Sequence, residues 1–247
     1  MKKLITHIIV AVCLFAGCSK DDAWDIVKTR GAAKTELREL PHFTGLVITN
    51  GINVVLRHGE RNSATLEGWT NLLPKIKLTV DTAGILNISD ENKYNMVRDV
   101  GNKTTVFLTC QDKINYIDFI GDGLVRSDGK LETDNLYILS ENASGSIHLT
   151  LDAASLSVGT NSRNTADMTF TGNCHTTGIT NWGIAPIDMR DLLVQYANIT
   201  HHGTADIHVF IEQQLNVALD GIGDLFYKGN PEISVDRKGK GNVYQIK

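Results

Sequence analysis

The sequence predicts an all-β protein, a parallel β-helix (β-solenoid) with about 18–22 residues per coil, a fold whose commoner form is right-handed. Composition is the first reason. Gly is plentiful at 22 and Pro scarce at 4, while Val, Ile, Thr and Asn recur in short stretches, which suits many short strands joined by tight turns. The second reason is an internal repeat. From Gly121 onward a Gly or Ala is followed by a polar residue and then by two apolar residues one position apart. The copies are "GSIHL" from Gly145, "ADMTF" from Ala166, "APIDM" from Ala185, "ADIHV" from Ala205, "GDLFY" from Gly223 and "GNVYQ" from Gly241. The steps from Gly123 through these six positions are 22, 21, 19, 20, 18 and 18 residues. A second alternating column, "LYIL" at Leu136, "LSV" at Leu156, "LLV" at Leu192, "LNVAL" at Leu215 and "ISV" at Ile233, interleaves with the first and is the third reason.

Taken from the N-terminus, residues 1–17 read as an export signal. Met1, Lys2 and Lys3 give a basic start, and Leu4 to Gly17 is apolar but too short to span a bilayer. The stretch "LFAGC" resembles a bacterial lipobox with Cys18 as the acylated residue, although Phe15 stands where an aliphatic residue is preferred. "CSKDD" resembles the signals that send lipoproteins of the Bacteroidetes to the outer face of the outer membrane, with the periplasmic face as the alternative. Several acyl chains hold a protein where one binds only marginally. The expected partner at this end is therefore the membrane, through a lipid anchor. Residues 18–36 are polar and read as a flexible tether.

The folded domain is expected over 37–247. Residues 37–113 hold strand-like segments, "GLVIT", "INVVL", "IKLTV", "ILNI" and "TVFLTC", at uneven spacing, interrupted by a polar loop near "SDENKYNMVRDVGNK". They read as less regular N-terminal coils or a cap. Residues 114–247 hold the regular repeats. Each unit is too small to close a core alone, and stacking supplies the missing neighbours. Alternation then points Ile147 and Leu149 inward and His148 outward. The Gly or Ala column marks a corner where successive backbones approach closely. The polar residues after it, Ser146, Asp167, Asp206, Asp224 and Asn242, suit turns in which the side chain accepts a backbone N–H. Pro186 breaks that column. At the far end Arg237, Lys238, Lys240 and Lys247 read as a charged cap that protects the last coil from pairing with another molecule.

The stretch "TNGINVVLRHGE" aligns with the later turns. Asn50 and Asn53 match the first-glycine and aspartate positions, Val54 matches Ile207 and Leu225, and Ile52 falls in the Gly or Ala column. An end coil with no neighbour below would allow that isoleucine.

At this point the residues resemble a family. "FTGLVITNGINVVLRHGE", "NLLPKIKLTV" and turns of the "GIGDLFYKGNPEI" kind are similar to the head-GIN adhesin family of Bacteroidetes, over about residues 37–247. The resemblance implies a β-solenoid and an adhesin-like role, the latter an analogy drawn for a family of unknown biochemical activity. Family copies repeat a Gly-Ser-Gly-Asp turn, and only Gly221-Ile222-Gly223-Asp224 comes near it here.

Several chemistries are excluded or set aside. The totals of 24 basic and 28 acidic residues argue against nucleic-acid binding. "TNGINVVL" leads into another strand, so it lacks the helix N-terminus of a phosphate loop. A carbohydrate-active β-helix enzyme, a lyase or hydrolase, is the enzymatic alternative, since Asp167, Asp206 and Asp224 lie in one column. Turn chemistry already accounts for them, and no catalytic residue is assigned. His148 and His208 stand three coils apart, about 14 Å at ~4.8 Å per coil, too far to share a metal. His201 and His202, with His175 elsewhere, form the one His cluster, but neighbours on a strand face opposite ways. No metal or cofactor is expected. Trp182, His201, His202, Asp206 and Asp224 are the candidate ligand-facing residues, for a glycan or cell-surface ligand, and Phe226 and Tyr244 fall in the outward column with His148 and His208. A purely structural envelope protein is the third reading. Cys110 and Cys174 are expected as buried free thiols rather than a disulfide, and "DTA" at Asp81 resembles a short O-glycosylation acceptor.

Overall fold

Alternating apolar residues at a twenty-residue period do stack into a β-solenoid, of about six turns. The computed structural model describes residues 31–92 and 103–247. The signal segment, Cys18, most of the tether and the greater part of the polar loop lie outside the described residues. Among the described residues no helix is long and apolar enough to cross a membrane.

The regular part is built by β9 (Leu124–Ser140), β10 (Ser146–Thr160), β11 (Asp167–Asn181), β12 (Ile187–His201) and β13 (Ile207–Leu219), each parallel to the next. Within a coil, one corner is a bend inside a continuous strand and the other is a tight turn. Ile147 and Leu149 are buried and His148 is exposed, as alternation requires. The stack ends with β14 (Leu225–Lys228) and β16 (Val243–Gln245) on one wall and β15 (Glu232–Arg237) on the other. In β15 the inward positions Ile233 and Val235 are 39% and 44% exposed, whereas Leu215 and Val217 one coil earlier are buried.

The N-terminal part departs from a simple stack. β2 (Gly45–Asn50) and β3 (Asn53–His58) form one coil, and β8 (Tyr116–Gly121) with the start of β9 forms the next. Below them lies a coil that comes later in the chain, β6 (Ile85–Asp90) and β7 (Thr105–Cys110), with Leu46 on Leu86 and Val54 on Val106. The bottom edge is closed by antiparallel strands. β4 (Ser63–Trp69) pairs with β7, β1 (Ala33–Glu39) with β4, and β5 (Ile76–Val80) with β6. Covering the end coil in this way moves the open edge from the parallel stack to the antiparallel strands β1 and β5, each of which pairs on one side only among the described residues. Ordered strand thus begins at Ala33, four residues ahead of the expected start at Leu37.

"TNGINVVL" is therefore not the end coil expected from its irregularity, because it has a coil on each side. The Asn53 N–H donates to the Thr104 carbonyl below (3.0 Å), and its side-chain oxygen accepts the Leu124 N–H above (3.0 Å). Ile52 is fully buried. The room comes from the next coil. A Cβ on Gly123 would lie 1.9 Å from the Ile52 carbonyl oxygen, so the glycine that the column demands is supplied one layer up. Asn50 takes a φ of +64°, a left-handed conformation that Asn tolerates where most side chains do not.

Candidate functional site

The tight turns stack in register. Residues 182–186, 202–206 and 220–224 link β11 to β14, and carbonyls of each turn accept N–H groups from the next: His202 N–H to Asn181 (2.8 Å), Ile222 N–H to Gly203 (3.2 Å). Equivalent side chains consequently form rows along the axis, one step per coil. The outer row runs Trp182, His202, Asp220, Lys238, and a second row runs Ile184, Thr204, Ile222, Lys240. Trp182 and His202 stack with ring centroids 3.8 Å apart and planes at 17°. His202 Nδ1 lies 3.5 Å from an Asp220 carboxylate oxygen. Trp182 is 49% exposed, Ile184 53% and Ile222 61%. The result is a ridge of apolar and aromatic surface beside an imidazole and a carboxylate.

His201 is not on this ridge. It is fully buried, because it falls on the inward parity of β12 with Ala197 and Ile199. It continues a polar column inside the core, Ser140, Thr160, Asn181, His201, each buried. Thr160 donates from Oγ1 to Asn181 Oδ1 (2.6 Å), and His201 Nδ1 accepts the Gly203 N–H (3.3 Å). Nε2 has no hydrogen-bond partner among the described residues. Space for the ring comes from glycines, since a Cβ on Gly223 would sit 2.5 Å from Nε2. Burial lowers the pKa of this imidazole, partly offset by the nearby Ala205 and Asn181 backbones.

Asp206 and Asp224 lie on the adjoining wall and are engaged in the fold. The Asp224 N–H donates to Asp206 Oδ1 (3.0 Å), and the Asn242 N–H donates to Asp224 Oδ1 (2.7 Å). The expected N–H acceptance is present, but it links one coil to the next instead of closing each residue's own turn. Asp167 likewise accepts the Ser146 hydroxyl (2.8 Å) and contacts His148 Nε2 (3.2 Å). No three of the described His, Cys, Asp and Glu residues group to hold a metal ion.

Two further features complete the surface. His208, Phe226 and Tyr244 stack face to face at 4.8 and 5.3 Å, so their faces serve one another and mainly their edges meet solvent. Cys110 and Cys174 are free and buried. Burial pushes the Cys110 thiol up to about 12 and the Cys174 thiol to about 11, so neither is a nucleophile near neutral pH. Sequence reasoning missed Asp220, Ile184 and Ile222. Their positions one period apart from His202 and Thr204 carry the signal that could have found them.

The chain matches a family model described as "putative auto-transporter adhesin, head GIN domain" over residues 42–231. A crystal structure described as a putative adhesin from Bacteroides fragilis NCTC 9343 is similar at a TM-score of 0.78 and 23% identity, covering 87% of this chain and 97% of that one. A putative adhesin from Parabacteroides merdae ATCC 43184 is similar at 0.65 and 16%, covering 88% and 97%. A structure from Parabacteroides distasonis ATCC 8503, described as a putative lipid binding protein, is similar at 0.64 and 17%, covering 88% and 98%. At these identities the likeness concerns the fold. No curated protein matches the chain. On the family match, which spans most of its length, the chain belongs to the family described as "putative auto-transporter adhesin, head GIN domain".

Proposed function

We propose that the protein is a non-enzymatic, adhesin-like binding module that engages a glycan or cell-surface ligand through the Trp182 to Ile222 ridge. Acylation at Cys18 and the polar segment between it and β1 hold it on the outer membrane, with the solenoid facing away from the cell. The observation that carries this reading is the ridge itself: Trp182 and Ile184 on one turn and Ile222 on the turn after next are each about half exposed or more, with His202 on the turn between them and Asp220 beside Ile222. Exposed apolar surface rimmed by polar groups marks binding sites, and the half-exposed indole, with His202 stacked on one face, adds aromatic surface against which a sugar ring can pack. The column aspartates are occupied by the fold, and the thiols are held protonated, which supports a role without catalysis.

Binding of the full-length lipoprotein, solubilised in detergent, to an array of glycans and matrix proteins tests this. The expected result is retention above an unrelated β-solenoid lipoprotein, lost in Trp182→Ala. Equal retention of the control and the variant contradicts it. Incorporation of labelled fatty acid that disappears in Cys18→Ser tests the anchor.

A further inference from the structure

The ridge leaves unexplained a cleft elsewhere on the molecule. β3 pairs with β9 only as far as Leu56 opposite Ser127, while β3 itself continues to His58. The reason is a bulge in β9. Arg126 stands opposite His148 and Lys130 opposite Thr150, so Ser127, Asp128 and Gly129 face a single residue of β10. Gly129 takes a φ of +88°, and Ser127 Oγ accepts the Thr150 N–H (2.9 Å), which pins the distortion. Bulges re-aim side chains and are over-represented beside functional sites. Here the bulge swings Lys130 and Leu131 away from β3 and opens a cavity of about 220 Å³ over Cys110 and Ile114, with Arg57 and His58 on its wall.

The size and lining restrict what fits. The volume is below the roughly 300–1,000 Å³ of pockets for drug-sized ligands, so the cleft suits one ring or its equivalent. Its floor is apolar, from Cys110, Ile114 and Leu131. Much of its charge is already paired: Lys113 with Asp134 (2.8 Å), Lys130 with Asp152 (3.0 Å), and Asp112 with His42 (2.8 Å). Arg57 is different. Its Nε donates to Thr109 Oγ1 (3.0 Å), which fixes the guanidinium, and Nη1 and Nη2 have no partner among the described residues. A held guanidinium with two free parallel donors is the geometry that reads a carboxylate through two hydrogen bonds. Glu132 also lines the cleft, and its carboxylate acts electrostatically on Lys113 and Lys130 while accepting no side-chain hydrogen bond among the described residues. Together with Asp112 it disfavours a dianion, and it offers an acceptor to a ligand hydroxyl.

We propose that this cleft binds a carboxylate-bearing ligand the size of one sugar ring, of the uronic-acid class, with the carboxylate on Arg57, a hydroxyl on Glu132 and the apolar edge of the ring on Ile114 and Leu131. The proposal goes beyond the ridge and uses none of its residues.

Saturation-transfer NMR on the full-length chain in detergent, titrated with sodium glucuronate, tests it. A saturable signal is expected, with none from methyl glucoside, which lacks the carboxylate. Arg57→Gln weakens binding about tenfold or more, and Arg57→Lys, which keeps the charge but loses the fork, does so as well. Both variants retain the wild-type melting temperature, since Arg57 is exposed. Trp182→Ala leaves the glucuronate signal unchanged, so failure here and failure of the ridge are separate results. Absence of a saturable signal, an equal signal from methyl glucoside, or wild-type binding in Arg57→Gln overturns the proposal. Sulfate that displaces glucuronate at equal concentration overturns the assignment to a carboxylate.

Discussion

The imidazole of His202 lies flat on the indole of Trp182, centroids 3.8 Å apart, and so covers one face of the ring that the next coil would otherwise leave open. Removing it has a readable consequence. His202→Ala should raise acrylamide quenching of tryptophan fluorescence, because the indole gains a solvent face. The stability cost should stay near the ~0.5–1.5 kcal/mol of an aromatic pair. Unchanged quenching would mean that the stack does not persist in solution.

The ladder through Asp206 and Asp224 gives a second expectation. Asn keeps a side-chain oxygen for the Asn242 N–H and Ala does not. Asp224→Asn should therefore be close to neutral in urea unfolding, and Asp224→Ala should lose about 1 kcal/mol. Neither should change ligand binding. A loss of binding in Asp224→Asn with stability intact would move the site from the ridge to the aspartate column.

Glycine and alanine look interchangeable in the repeat column, but the structure separates them. A Cβ on Gly145 would lie 1.9 Å from the Gly123 carbonyl oxygen, a backbone atom that cannot swing away. Gly145→Ala should destabilise by roughly 1–3 kcal/mol, the range for overpacking a well-packed site. Thermal melting should show this loss, whereas Ala205, in the same column, already carries its Cβ in place.

His201 makes the stack sensitive to acid. Its folded pKa is lowered, first by burial, so the folded state resists a proton that the unfolded chain accepts. Stability is thus unaffected by this group above the ordinary histidine range. It falls as pH drops below about 6.5, where the unfolded imidazole charges. The urea midpoint measured from pH 7.5 down to pH 5, ordinary working values around that range, should decline in the wild type and decline less in His201→Gln.

Much of this was legible in the residues. The period of the Gly or Ala column fixed the later coils, and alternation from Ile147 assigned inward and outward faces that the structure keeps. Parity also held the answer for His201. Counting by twos from Ala197 and Ile199 places it in the core, but a polar residue beside a second histidine invites a surface reading. The polar column from Ser140 to His201 is visible only once coils are in register, because its members are about twenty residues apart. The N-terminal stacking order was hidden for a different reason. β6 and β7 slip beneath a coil that precedes them in the chain, and local pattern contains nothing about which of two apolar strands lies above the other. The cleft at Arg57 depends on a bulge three residues long, which no period reveals.

Adhesion through the Trp182 ridge can be measured. Beads bearing the full-length lipoprotein in supported bilayers, counted after flow over a surface of the ligand that the array identifies, measure it directly. Wild-type beads should adhere, and Trp182→Ala and Ile222→Asp beads should wash off while the variant proteins melt within a few degrees of the wild-type temperature. Adhesion of both variants at the wild-type level would contradict a role for the ridge.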